Sequence, residues 1–177
     1  MEETKPPRMS EETYLIEAKQ FLSAEYHDEI IFAHNLEYMF RQAVLAARRV
    51  DMVKKSLYYG KPFKGKQYPH LKTTIKHSKH HKDVLHAVLG LYTEAGELLE
   101  HLWNVMSGEC TIDFVNMNEE LGDLYWYMAL IHNTLGTKPS ESWIKNIDKL
   151  KTRYGDKFYV GRALNRDLKK ERRTLER

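Results

Sequence analysis

The sequence predicts an all-α fold, a helical bundle with an additional helical region on its N-terminal side. Three observations predict it. Apolar residues recur at spacings of three and four through most of the chain, the period that lines one face of a helix. Helix-forming Leu, Ala, Glu, Lys and Met are plentiful, while 5 Pro and 9 Gly are all that interrupt 177 residues. No run alternates apolar and polar residues with the period of two that a half-buried strand requires.

The elements follow in order. Residues 1–10 are polar, carry Pro6 and Pro7, and read as a flexible terminus. From about Glu11 to Tyr59 the pattern is helical: Leu15, Ala18 and Leu22, then Ile30, Ile31, Ala33 and His34, with a break expected near His27 and Asp28. Leu36, Met39, Phe40, Ala43, Val44, Ala47 and Val50 continue the stripe. Residues 60–82, GKPFKGKQYPHLKTTIKHSKHHK, are rich in Gly, Pro, Lys and His and read as a basic loop. A second helix is expected from about Asp83, its N-cap, to Met106, with Leu85, Val88, Leu89, Tyr92, Ala95, Leu99, Leu102 and Trp103 inward and Ser107-Gly108 as its end. A third follows Asp113, with Leu121, Leu124, Tyr125, Met128, Ala129, Ile131 and Leu135 inward and Gly136 as its stop. Ser140 is expected to cap a fourth, lined by Trp143, Ile147, Leu150 and Tyr154 and closed by Gly155. The tail from Arg162 to Arg177 reads as one highly charged, loosely packed helix. Short connections make the later helices antiparallel neighbours, which predicts a single all-α domain over 11–177 with its core at about 83–155.

Composition excludes several classes. The 28 basic and 25 acidic side chains leave a formal charge of +3, which admits a polyanionic ligand without demanding nucleic acid. One cysteine, Cys110, allows no internal disulfide and gives no sign of secretion. The N-terminus lacks the apolar run of a signal peptide, and no stretch of 18 residues is uninterruptedly apolar. A cytoplasmic location without a membrane partner is the expectation.

Two tetrapeptides carry the chemistry: Glu94-Ala95-Gly96-Glu97 and Glu120-Leu121-Gly122-Asp123. Positions i and i+3 share a helix face, so each tetrapeptide presents two carboxylates in one direction. Antiparallel pairing of the two helices can bring all four together. Carboxylates that close repel one another and raise each other's pKa unless cations neutralise them. Hard divalent cations with oxygen ligands do so, and Mg²⁺ shares its shell between carboxylates and phosphates. Glycine in a helix interior costs roughly 1 kcal/mol relative to alanine. Its recurrence at the same place in both tetrapeptides implies close approach of a helix, a metal or a phosphate.

The pattern ExxE, 22 residues, then ExxD resembles the MazG-like all-α nucleotide pyrophosphohydrolases. The strings LHAVLGLYTEAGELLEHL, VNMNEELGDLYWYMALI, NIDKLKTRYGDKF and RALNRDLKKE are similar to phage and bacterial members, so the resemblance runs from about Leu85 to Glu171 and leaves the first 80 residues unmatched. It implies a helical bundle of that family's type, with Mg²⁺, or Mn²⁺ as a substitute, held by Glu94, Glu97, Glu120 and Asp123. It implies hydrolysis of an NTP or dNTP to the monophosphate and pyrophosphate, for nucleotide-pool control or house-cleaning, in the host cytoplasm if the chain is phage-encoded. Glu97 and Glu120 are the catalytic candidates, although neighbouring Glu119 also qualifies as proton acceptor. Asn146, Lys149 and Arg153 match the family's phosphate-binding positions. The resemblance also implies a homo-oligomer, dimer or tetramer.

Other features read more plainly. His77, His80, His81 and His86 match no closed zinc site and have no neighbouring cysteine, so a basic loop is the better reading. Trp103, Trp126 and Trp143 read as core, with base stacking by Trp126 or a nearby tyrosine as the lesser alternative. Glu100 reads as a surface carboxylate and Cys110 as inert. The segment DMVKKSLYYGKP, Asp51 to Pro62, resembles a stretch that follows the first acidic motif in some relatives, yet precedes it here. Di-metal oxidases of four-helix bundles use Glu-x-x-His on two helices; a lone Asp83-x-x-His86 argues against that chemistry. A nucleic-acid-binding helical protein, a hydrolase of guanosine alarmones and a nucleotide sensor are the competing functions. Nucleic acid is not expected as a partner, because the basic segments lack interleaved aromatics.

Overall fold

A computed structural model of the chain describes residues 9–24, 31, 33–66 and 79–176. Among them there are seven helices and no strand, and the fold is all-α: α1 (Glu11–Lys19), α2 (Ala33–Tyr59), α3 (Lys79–Met106), α4 (Phe114–Leu135), α5 (Pro139–Tyr154), α6 (Val160–Leu164) and α7 (Leu168–Leu175). None of the described helices is long and apolar enough to cross a membrane. The chain forms two compact units: Asp28–Gly136, and Met1–His27 together with Thr137–Arg177.

In the first of these, α3 packs against both α2 and α4. Both pairings are antiparallel. Phe40 meets Trp103, Arg48 meets Glu100, Lys54 meets Glu94 and Tyr58 meets Lys82, so the α3 partner number falls as the α2 number rises. Along α4, Asp113 meets His101 and Tyr127 meets His86. Asp113 caps α4 by accepting from the amides of Val115 at 2.9 Å and Asn116 at 3.1 Å, and Gly136 ends it at φ 66°. Both ends were legible in the sequence.

The start of α3 differs from expectation. Asp83 is not the N-cap; it lies inside a helix that begins at Lys79, and the Tyr58 hydroxyl donates to the Lys82 carbonyl at 2.7 Å, tying that first turn to α2. The basic segment therefore ends in helix, while residues 67–78 lie outside the described residues.

The buried faces differ too. On α4 the protected stripe is Glu120, Leu124, Tyr127 and Ile131, whereas Leu121, Tyr125, Met128, Ala129 and Leu135 are exposed, Tyr125 by 57%. On α3 the buried positions are Ala87, Gly90, Thr93 and Glu94, and Leu85, Val88, Tyr92, Ala95 and Leu102 are exposed. The reason is geometric: a unit of three helices covers on each helix the stripe facing a neighbour and leaves the rest bare. Trp126, expected in the core, is 55% exposed.

The other unit is built from α1, α5, α6 and α7 around Phe21, Ile147 and Tyr154, with Met9, Tyr14, Ala18, Leu150, Phe158 and Ala163 packed against them. Ser10 caps α1, and Tyr14 stacks on Trp143. Of the N-terminus expected to be flexible, residues 1–8 lie outside the described residues. Likewise the break expected near His27 and Asp28 falls on residues outside them, between helices that end at Lys19 and resume at Ala33. Ser140 does not cap α5: Pro139 takes the first helical position, which needs no amide hydrogen, and makes Lys138 the N-cap. The tail is not one helix either. It breaks at Asn165 to Asp167, where Asp167 caps α7 by accepting from the Lys170 amide at 2.9 Å. Nor is it loose, because Glu171 is buried and receives Arg153 and Arg166, each through an Nη2 at 2.7 Å.

Candidate metal centre

The acidic tetrapeptide of α3 places Glu94 and Glu97 one turn apart, and α4 brings Glu120 opposite them. One carboxylate oxygen from each of the three lies within 4.8 Å of the others. Among the described residues this is the group able to hold a metal ion; no histidine joins it. Asp123, the fourth acid of the motif, is exposed and outside that group, although its charge still bears on Glu120.

Glu94 and Glu120 are 7% and 8% exposed, which is unusual for carboxylates and follows from their place on the buried stripes of their helices. Asn116 Nδ2 donates to Glu120 at 3.2 Å. Burial, then the charges of Glu97, Glu94, Asp123 and Glu119, push the Glu120 carboxyl up to about 7. Burial and the charges of Glu94 and Asp51 likewise raise Glu97, partly offset by Lys55 and Lys54. Oxygen donors that repel one another in this way fit a hard divalent cation.

Residues of α2 complete the centre, and sequence reasoning missed them. Lys54 is 4% exposed, and its ammonium donates to Thr93 Oγ1 at 2.7 Å, Glu94 Oε1 at 2.9 Å and the Tyr127 hydroxyl at 3.3 Å. Burial works to lower its pKa, but the bonds to Glu94 and Tyr127 prevail and raise it, so Lys54 stays charged. Asp51, one turn earlier, lies 3.5 Å from the same ammonium and pairs with Lys55. Arg48 pairs with Glu100 and lines clefts that also hold Asp51, Glu97, His101, Asn104, Asn116 and Glu120. A signal was present: Phe40, Val44, Ala47, Asp51, Lys54 and Tyr58 recur at spacings of four and three, so Lys54 occupies a core position of its helix.

The two glycines part company. A Cβ at Gly96 would collide with the Ala47 side chain, so close approach of α2 explains the first. Nothing lies within 4 Å of a Cβ at Gly122, so close approach does not explain the second.

Asn146, Lys149 and Arg153 lie on α5, in the other unit, and Arg153 is committed there to a two-bond pairing with Glu171. Of the histidines, His80 and His81 are exposed on the first turn of α3, and His77 lies outside the described residues. His86 stacks on Tyr58 at 4.1 Å and meets Trp126 and Tyr127 edge-on. Its Nε2 is buried with no hydrogen-bond partner among the described residues. Burial and Lys54 lower its pKa against the opposing pull of Asp83. Cys110 is exposed in the turn after α3. No known family model, curated protein or solved structure matches the chain.

Proposed function

We propose that the chain is a Mg²⁺-dependent nucleoside-triphosphate pyrophosphohydrolase, releasing monophosphate and pyrophosphate from an NTP or dNTP. The observation that carries the reading is the meeting of Glu94, Glu97 and Glu120 within 4.8 Å on two antiparallel helices. The resemblance of ExxE and ExxD to the MazG-like enzymes supplies the reaction. Glu94, Glu97 and Glu120 would hold the metal, with Asp123 at the margin of the cluster. When bound, Mg²⁺ neutralises phosphate charge and lowers the pKa of an attacking water. Glu97 and Glu120 remain the candidates to accept the proton of that water. Arg48, the guanidinium lining the same clefts, is suited to a phosphate, since its pairing with Glu100 is solvent-exposed and easily exchanged. Assembly of like chains is part of the proposal. What supports it is the bare stripe Leu121, Tyr125 and Met128 on α4, whose spacing of four and three forms one apolar face.

The test is pyrophosphate release from a panel of NTPs and dNTPs with Mg²⁺, for the wild type, Glu97→Gln and Arg48→Ala. The wild type should release pyrophosphate, Glu97→Gln should lose at least a hundredfold in kcat, and Arg48→Ala should chiefly raise KM. Absence of turnover with every nucleotide, in a folded protein, refutes the reading.

A further inference from the structure

The buried lysine of the metal centre is unexplained by the reaction itself. Lys54 sits between two carboxylates contributed by different helices, 2.9 Å from Glu94 Oε1 and 3.5 Å from Asp51 Oδ1. That is the position of a cation bridging two acids. Its three hydrogens already have acceptors in Thr93, Glu94 and Tyr127, so it is held rather than wandering. Thr93 Oγ1 approaches the same Glu94 oxygen at 3.1 Å. Glu94 Oε1 is therefore held by both Lys54 and Thr93 beside the cluster it forms with Glu97 and Glu120.

We propose that Lys54 is a resident cation that occupies a second cation position, between Asp51 and Glu94, and restricts the carboxylate cluster to one divalent ion. The proposal rests on the metal reading given above and makes Lys54 a positioning residue that acts through Glu94. Four carboxylates, Asp51, Glu94, Glu97 and Glu120, converge from α2, α3 and α4; Lys55 pairs with Asp51 and Lys54 with Glu94, so one divalent ion would match the charge that remains. The Lys54 ammonium supplies its part of the balancing charge permanently and repels a second dication, since unit charges a few ångström apart at a partly buried site interact strongly. It also keeps Glu94 on the buried stripe of α3 without any metal, where an unpaired carboxylate would be costly.

The experiment is Mn²⁺ binding to the full chain, read by electron paramagnetic resonance of the free ion, in the wild type and in Lys54→Met. One ion is expected in the wild type. In Lys54→Met two are expected, or one held at least tenfold more tightly. A purely structural lysine would not change the number in that direction. Two ions in the wild type, or an unchanged or weaker affinity in the variant, overturns the proposal while leaving the metal reading standing. No Mn²⁺ in either protein overturns both. If Lys54→Met unfolds in chelator, Mn²⁺ should restore its helicity by circular dichroism; failure to do so also refutes the proposal.

Discussion

Glu120→Gln should make the metal-free protein more stable while abolishing the metal binding proposed above. In the native chain the carboxyl of Glu120 is pushed from an ordinary value of 4.5 to about 7, by burial first and then by Glu97, Glu94 and neighbouring acids. Because the folded value lies above the unfolded one, the folded state binds the extra proton, and stability falls as pH rises from about 4.5 through about 7. At 1.36 kcal/mol for each pH unit between the two values, the charged form costs roughly 3 kcal/mol at pH 8. Glutamine keeps the shape and the oxygen that accepts from Asn116, and it carries no charge. The variant should therefore gain up to about 3 kcal/mol at pH 8, and close to nothing at pH 4.5 where the native carboxyl is protonated. Urea unfolding in EDTA at the two pH values, followed by circular dichroism, measures the difference. The parallel expectation, which rests on the proposed metal site, is that Mn²⁺ should stabilise the wild type by mass action and should not do so in the variant. A variant less stable than wild type at pH 8, or a gain independent of pH, would refute the picture of a strained carboxylate awaiting a cation.

Two further predictions separate structural roles from site roles. Gly96→Ala should lose about 1–3 kcal/mol, because the new methyl meets the Ala47 side chain, whereas Gly122→Ala should gain up to about 1 kcal/mol from helix propensity in open space; equal effects in thermal unfolding would contradict the contact with α2. Glu171→Gln should loosen α1 and α5–α7 by about 3 kcal/mol, since Arg153 loses a buried charged partner. Arg153 first, and Arg166 second, hold the Glu171 carboxyl down at about 2, so its contribution is fully present above the ordinary 4.5 and disappears as pH falls through about 2. Hydrogen exchange should show that loosening without change in α2–α4 or in Mn²⁺ affinity, and a fall in Mn²⁺ affinity would argue for a site role instead.

What the sequence made legible was whatever local chemistry decides. The end of α3 at Met106, the Asp113 cap, the Gly136 stop and the Gly155 close each depend on a few neighbouring residues, and each was read correctly. The pairing of Glu94 and Glu97 on one face follows from helical spacing alone. Faces were harder. Leu121 and Tyr125 are as apolar as Leu124 and Tyr127, and which stripe of α4 turns inward depends on α3, a neighbour that periodicity does not name. Helix starts failed where propensity is flat, as at Lys79, or where proline overrides a good cap, as at Pro139. The α2 side of the centre was missed because Lys54 reaches Glu94, and the charge of Asp51 bears on Glu97, only through the tertiary pairing of α2 with α3. A lysine on a helix ordinarily reads as solvated, and only its place on the core stripe of α2 marks Lys54 as buried.

The division of the chain has a consequence for the order in which the molecule can be made. α2, α3 and α4 are contiguous, so the helices that carry Lys54, Glu94, Glu97 and Glu120 can pair as soon as residues up to Gly136 have left the ribosome. α1 emerges before them but must wait, since its Tyr14 stacks on Trp143 and its Tyr14 and Ala18 pack against the cluster of Phe21 with Ile147 and Tyr154, later in the chain. During synthesis the carboxylate unit is thus complete while α1 still lacks its core, and contacts spanning most of the chain close last. Truncation before α5 would leave the acids their neighbours on α2–α4 and strip α1 of every residue it packs against from α5.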